Sequence, residues 1–369
     1  MKDLEIIIPA FNSHDTIEDT LKSIYIQKNL PDYHITIVND CGNNYKELIV
    51  KYKDKLNIDE IKTPTNGGPG ISRQYALDNT NSKYVIFVDS DDCFYDENSI
   101  FLLYNKINKT KVDIVISNFI YKKNNIVEIK ERSTVWLHGK IYNREFINKN
   151  NIRFNNSRLN EDNGFNGLFF ILNPVVIWIN DITYVYNDNK NSLTRNDEYT
   201  INGMESYSYN INWVVEEATK RKIDSNSIGL KLLEGLHTMY ETYVNNYNNK
   251  EADKIIIWSQ IIYQKYQTYE KELKDIESNQ EYFKTLKNPI ISFEEFKNKI
   301  KESLFLWTIW GSLHIRLFYY SLWIYLKKNS SSAAYHSSQK TLFSNQLSLG
   351  PAIWYILTLS NTPIGLVTQ

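Results

Sequence analysis

Lys83-Tyr84-Val85-Ile86-Phe87-Val88-Asp89-Ser90-Asp91-Asp92 is the stretch whose reading decides the fold. Tyr84 to Val88 form an apolar run without polar interruption, the pattern of a strand covered on both faces in the middle of a parallel sheet. The run ends abruptly in the carboxylates of Asp89, Asp91 and Asp92. Carboxylates this close repel unless a cation sits among them or one takes up a proton. Ligands of open α/β sheets bind just outside the carboxyl ends of the strands. A buried strand that delivers acids to that edge therefore points to a site for a divalent metal and phosphate. Hard oxygen ligands suit Mg2+ or Mn2+, with substrate phosphates completing the shell. The plainer alternative is a solvated acidic turn capping the next helix.

Upstream, Leu4 to Ile8 reads as a short strand that stops at Pro9. Asn12 and Ser13 make a turn, and Ile17, Leu21, Ile24 and Tyr25 then fall at helical spacing. Ser13 or Asp15 is placed to cap that helix, and Asp15 and Glu18 have capping-box spacing. His34 to Val38 is a second strand, ending in Asn39-Asp40-Cys41-Gly42, and a helix with Tyr45, Leu48, Ile49 and Tyr52 on one side follows. Ile58 to Ile61 leads into Thr63-Pro64-Thr65-Asn66-Gly67-Gly68-Pro69-Gly70, a loop by composition. A helix from about Ile71 to Asp78 precedes the acid-tipped strand. This alternation is an α/β doubly wound half-sheet. Three strand ends meet on one edge: Pro9-Ala10-Phe11-Asn12, Asn39-Asp40 and Asp89-Ser90-Asp91. With the Gly-rich loop and Arg73 they read as a nucleotide pocket. An acid can accept from a base N–H, Gly admits close backbone approach, and Arg offers a fork to phosphate.

Ile7-Ile8-Pro9-Ala10-Phe11-Asn12, Val38-Asn39-Asp40, Asn66-Gly67-Gly68 with Ser72-Arg73, and Phe87-Val88-Asp89-Ser90-Asp91-Asp92 resemble the successive motifs of family 2 glycosyltransferases of the GT-A fold. The resemblance covers roughly residues 4 to 195. It implies a GT-A-like mixed sheet, a nucleoside-diphosphate sugar donor, UDP before other nucleotides, a Mn2+ or Mg2+ ion, and inversion at the anomeric carbon. It implies donor-nucleotide contacts from Pro9, Ala10, Asn12, Asn39, Asp40, Asn66, Gly67, Arg73, Asp89 and Ser90. Asp40 would meet the uracil, Arg73 the diphosphate and Asp89 the ribose side, with Asp91 and Asp89 at the metal. Position 39 is Asn where the family more often has Asp.

Downstream, an Asp-capped helix carries Ile100, Leu103 and Ile107, and Val112 to Ser117 is another apolar strand. Phe119-Ile120-Tyr121 and Ile126-Val127-Glu128-Ile129 flank a polar turn and read as a hairpin. Gly139-Lys140-Ile141-Tyr142-Asn143-Arg144 and Leu159-Asn160-Glu161-Asp162-Asn163 resemble the acceptor half of the same family. Its Glu-Asp pair opens a helix below the donor, and the second acid is the general base. That assigns catalysis to Asp162 with Glu161 beside it, because a sugar hydroxyl attacks well only as it loses its proton. The competing reading is that both acids merely favour a helix N-terminus. Relatives often carry a His soon afterwards, near the phosphates, but residues 184 to 195 contain none. Lys190 or Arg195 would be its substitute, or part of a solvated loop. His138 beside Trp136 either touches an acceptor sugar or is structural.

The remaining features bound the reading. A net charge of −1 gives no electrostatic footprint for nucleic acid. Two cysteines without cluster spacing speak for a reducing compartment and against structural zinc. The opening residues do not read as a signal peptide, so a cytoplasmic location is expected. From about Glu205 the pattern turns helical, giving expected divisions at 1–204 (catalytic), 205–329 (helical) and 330–369 (an uncharged tail without a functional reading). Residues 304–326 are nearly all apolar but contain His314 and Arg316. Residues 304–328 therefore suit an interfacial helix on the inner membrane face or a self-association surface better than a membrane span. The resemblance implies an acceptor hydroxyl on a glycan, a lipid-linked group or a protein. The rivals are a nucleotidyltransferase, for which Glu161-Asp162 would be idle, an Asp-nucleophile phosphatase, whose acids belong on the first strand, and a non-catalytic nucleotide-sugar-binding scaffold.

Overall fold

The computed structural model describes residues 1–123, 126–187, 189, 197–273 and 289–305. Met1–Ser303 form one compact unit. Its sheet comprises β1 (Lys2–Ala10), β2 (Tyr33–Asn39), β3 (Ile58–Lys62), β4 (Ser82–Phe87), β5 (Cys93–Phe94), β6 (Ile114–Lys123), β7 (Ile126–Lys130), β8 (Lys140–Asn143) and β9 (Val176–Tyr186). The strands lie in the order β3-β2-β1-β4-β8-β6-β9-β5, with β7 against β6. The β3-β2-β1-β4 half is parallel. The sheet turns mixed at β8, which runs antiparallel to both β4 and β6. Helices α1 (Ile17–Tyr25), α2 (Lys46–Tyr52), α3 (Pro69–Asn79), α4 (Ser99–Thr110), α5 (Arg144–Lys149) and α6 (Glu161–Ile171) connect the strands.

Period-two alternation divides each central strand between two cores. Ile6, Ile8, Ile35, Ile37 and Ile86 face the layer of α1, with Leu21 and Ile24, and of α4, with Ile100 and Leu103. Ile7, Val38, Val85 and Phe87 face the opposite layer with Phe154, Phe165 and Phe169. Both faces of the parallel half are thus covered, which is why Tyr84 to Val88 of the acid-tipped stretch are all apolar. Pro9, read from sequence as a stop, lies inside β1 opposite Val38. The Ile7 carbonyl bonds toward Val88 and the Ala10 carbonyl toward Asp40. Pro9 has the parity of Ile7, so its missing N–H points where β4 has already ended and no ladder bond is lost. The expected caps of α1 also differ. Thr16 is its N-cap, and the Ser13 carbonyl, not a side chain, accepts from Thr16 and Ile17.

Helices α7 (Asp197–Lys220), α8 (Ser225–Asn245) and α9 (Asp253–Tyr266) follow, and residues 293–305 are helical. α7 runs unbroken through the expected boundary at 204, and its Val214 joins the core beneath α6. Among the described residues no helix is long and apolar enough to cross a membrane. Lys190, Arg195, the tail 330–369 and all of 304–328 except residues 304 and 305 lie outside the described residues.

Candidate active site

The site lies at the carboxyl edge of β1, β2 and β4, closed from the other side by the first turn of α6. Asp40 directly follows β2, and its carboxylate accepts from the amides of Gly67 and Gly68 at 2.9 and 2.7 Å and from the Thr63 hydroxyl at 3.1 Å. The Asn66 side chain donates to the Asp40 carbonyl at 3.0 Å. Asp40, expected at the uracil, is therefore first the anchor of the Gly-rich loop. Gly68 enters α3 with φ of +87°, a conformation that disfavours any side chain. Asn39 is fully buried: its amide donates to the Asn43 carbonyl and Glu60, and its oxygen accepts from the Gly42 amide. Asn12 accepts from the Asn43 amide at 2.9 Å. Asn39 and Asn12, expected at the donor, shape the 39–43 turn; Pro9 and Ala10 are buried beneath it.

Arg73 projects from α3 into the centre, 4% exposed. It donates to Glu161 Oε1 at 2.6 Å and through its other terminal nitrogen to Asp89. The expected fork to diphosphate is thus a fork between two carboxylates, one from each half of the site. Burial opposes the guanidinium charge, but Asp89 and Glu161 outweigh burial and keep it protonated. Burial likewise opposes ionisation of Asp89, yet Arg73 holds its carboxyl well below the usual range. Gly70 makes the approach of the two halves possible, since a Cβ there would meet the Glu161 side chain at 2.9 Å.

The acid cluster sorts by environment. Ser90 and Asp91 are half-buried at the rim, and Asp91 accepts from the Asn189 side chain at 2.7 Å. Burial, then the Asp89 charge, push the Asp91 carboxyl up. Asp92 is completely enclosed and accepts from the Tyr184 hydroxyl at 2.6 Å and the Asn187 amide at 2.8 Å. Burial and the charges of Asp91 and Asp89 drive its carboxyl well above the ordinary value. His138 lies stacked on Tyr184 with ring centroids 4.7 Å apart. Its Nε2 is 3.6 Å from Asp89 and 3.8 Å from Asp92. Burial among aromatic rings lowers its pKa against the pull of Asp89, which favours the neutral imidazole.

Asp89, Asp92 and His138 place one ligand atom each within 4.8 Å of one another. The donor set suits a divalent ion: two carboxylates and an imidazole that burial keeps neutral, with its Nε2 turned toward both of them. Of the expected pair, Asp89 belongs to this set and Asp91 lies at the rim. His138 precedes β8 in sequence, whereas the family's histidine was sought after β9.

Glu161 and Asp162 open α6, whose N-cap is Asn160. The Asp162 carboxylate accepts from the Asn163 amide at 2.9 Å. Burial first, and the Glu161 charge second, raise it from the ordinary 3.8 to about 7. Burial also raises Glu161, against the opposing charge of Arg73. Lys140, unassigned from sequence, is buried on β8 and donates to the carbonyls of Trp136 and His138. Burial lowers its ammonium to about 7, and the Asp162 charge opposes that fall. Asn166, one turn after Asp162, donates to the carbonyls of Val135 and Trp136 and accepts from the Tyr142 hydroxyl at 2.9 Å. Lys140 and Asn166 together pin the segment that carries Trp136 and His138. Lys140 opens β8 directly before the buried Ile141 and Tyr142.

Residues 5–170 match the family model described as glycosyl transferase family 2. The chain is 26% identical over 222 residues to glycosyltransferase GlyA of Streptococcus pneumoniae serotype 4, across 52% of this chain and 31% of that protein. It is 27% identical over 194 residues to the poly(ribitol-phosphate) beta-N-acetylglucosaminyltransferase TarP of Staphylococcus aureus, across 47% of this chain and 58% of TarP. The solved structure of S. aureus TarS 1-349 in complex with UDP shares the fold with a TM-score of 0.57 at 21% identity, covering 71% of this chain and 80% of that one. The chain thus spans less than two thirds of the length of these curated relatives.

Proposed function

Because residues 5–170 are a family 2 glycosyltransferase domain of the GT-A fold, we propose that this chain is an inverting, metal-assisted glycosyltransferase. It would move a hexosyl or N-acetylhexosaminyl unit from a nucleoside-diphosphate sugar, UDP before other nucleotides, to a hydroxyl acceptor in cell-surface polysaccharide or glycoconjugate synthesis. The observation that carries the reading is Asp162. It stands at the head of α6 with its carboxyl raised to about 7, joined through Glu161 and Arg73 to the acid-tipped end of β4. A base whose pKa lies near the working pH takes a proton with the best compromise of availability and strength. A nucleotidyltransferase would leave it unused.

In this mechanism the acceptor hydroxyl gives its proton to Asp162 as its oxygen attacks the anomeric carbon. The bond from that carbon to the diphosphate oxygen breaks, and configuration inverts. Glu161 and Arg73 keep Asp162 and Asp89 in a fixed relation, and the Asp40-anchored loop offers backbone close to the nucleotide. Asp89, Asp92 and His138 would hold Mn2+ or Mg2+, which when bound supplies charge neutralisation for the leaving diphosphate. The test is a panel of nucleotide sugars incubated with protein and Mn2+, scored for released nucleoside diphosphate. Release from a UDP-sugar supports the reading; none from any donor, with pyrophosphate formed from a nucleoside triphosphate, overturns it.

TarP is by its description a poly(ribitol-phosphate) beta-N-acetylglucosaminyltransferase, and this supports a polymer acceptor here. Cytoplasmic placement follows from where nucleotide sugars are made, and attachment to the inner membrane face through 304–328 is the companion proposal.

A further inference from the structure

A cavity of about 500 Å³ opens between the outer face of α6, the 134–135 segment and the first turns of α8. Its volume is that of a small-ligand site. Asn163, Asn166, Gly167 and Phe170 line it from α6; their i, i+3, i+4, i+7 spacing puts them on one helix face. That face begins one residue after Asp162 and runs about 10 Å to Phe170, at 1.5 Å per residue. Asn166, one helical turn after Asp162 and on the same side of α6, ties the near end of the cavity to the proposed base.

Its chemistry selects an occupant. Phe170, Ile223 and Leu230 give flat apolar surface, while Asn163, Asn173 and Ser227 bring amides and a hydroxyl between them. The charged lining residues are Lys231, Glu234 and Asp224, one cation against two carboxylates. Lys231 is already held by Glu234 at 3.0 Å. A polyanionic chain would meet net negative charge with no available cation, whereas a neutral sugar chain presents C–H faces to the apolar surface and hydroxyls to the amides. Building on the transferase reading, we propose that this cavity holds the acceptor's extension: a neutral polyhydroxyl chain whose terminal hydroxyl reaches Asp162. Site and specificity would then be shared between the sheet domain and α8.

The test uses the full chain with Mn2+ and the UDP-sugar that releases UDP in the donor panel. Neutral gluco-oligosaccharides of one to six units and ribitol-phosphate oligomers of matching length serve as acceptors. Transfer efficiency should rise with length for the neutral series. Leu230→Trp, which fills the cavity from a half-buried position, should lower kcat/KM for the long acceptors by about tenfold or more, the scale of altered apolar contacts in a pocket. It should leave the monosaccharide rate and acceptor-free UDP release unchanged; Leu230→Ala should keep the length preference. Independently of turnover, the longest neutral oligomer should protect the amides of 163–173 and 223–234 from hydrogen exchange in wild type and not in Leu230→Trp. A length preference that survives Leu230→Trp, better use of the ribitol-phosphate series, or exchange protection elsewhere overturns the proposal. Absence of UDP release from every donor would overturn the transferase reading instead, with the exchange measurement still deciding the cavity.

Discussion

Replacing Asp162 by Asn should move activity and stability in opposite directions. The carboxyl rises from the ordinary 3.8 to about 7 on folding. A group whose folded pKa is raised favours the native state only while protonated, so stability falls as pH climbs from about 4 to about 7. A gap of about three pH units corresponds to about 4 kcal/mol at about 1.36 kcal/mol per unit. Partial exposure and relaxation of the α6 first turn reduce this to about 1–3 kcal/mol. Asp162→Asn removes that ionisation, so at pH 8 it should be more stable than wild type by this amount, and at pH 4 nearly equal. Transfer should fall by about 10²–10⁴-fold, as expected for a lost general base, and the wild-type rate should climb with pH to a plateau above about 7. The assay pairs denaturant melts at pH 4 and pH 8 with transfer rates and UDP affinity for both proteins. Near-wild-type transfer, or equal destabilisation at both pH values, would refute the base assignment and leave Asp162 as a helix-terminus acid.

Arg73→Ala leaves Asp89 and Glu161 buried without their cation and should cost about 3–5 kcal/mol, read as a lower denaturant midpoint. Asp40→Asn removes a carboxylate that accepts from two loop amides; donor affinity should fall while its Mn2+ dependence remains, measured by calorimetry. His138→Ala should weaken Mn2+-dependent UDP binding more than Asp91→Asn does, because His138 belongs to the tight donor cluster and Asp91 to the rim; the reverse order would restore the Asp89–Asp91 assignment. Gly70→Ala should displace Glu161 and depress transfer with little change in UDP affinity, since the contact at 2.9 Å lies on the α6 side of the site.

Much of this was legible because strand ends are marked by abrupt changes from apolar to polar residues. The run into Asp89, the turn at Asn39-Asp40 and the Gly-rich loop all announce themselves in this way. What Asp40, Asn39 and Arg73 bond to was not legible, because their partners are backbone amides or side chains far away in sequence. Arg73 and Glu161 are 88 residues apart, and only the mixed sheet brings them together. His138 was read only as an acceptor contact or a structural residue because it precedes the short strand β8, whose antiparallel insertion beside β4 no local pattern reveals. Pro9 misled for a related reason: whether a proline ends a strand depends on which neighbour its missing N–H would have faced.

Direct displacement by a hydroxyl that Asp162 deprotonates has one stereochemical outcome. The most direct measurement is the anomeric configuration of the first product, followed by proton NMR during turnover of an α-linked UDP-sugar. A β-linked product, formed by wild type and lost with Asp162→Asn, is predicted. An α-linked product would mean retention, and with it a different arrangement of nucleophile and base.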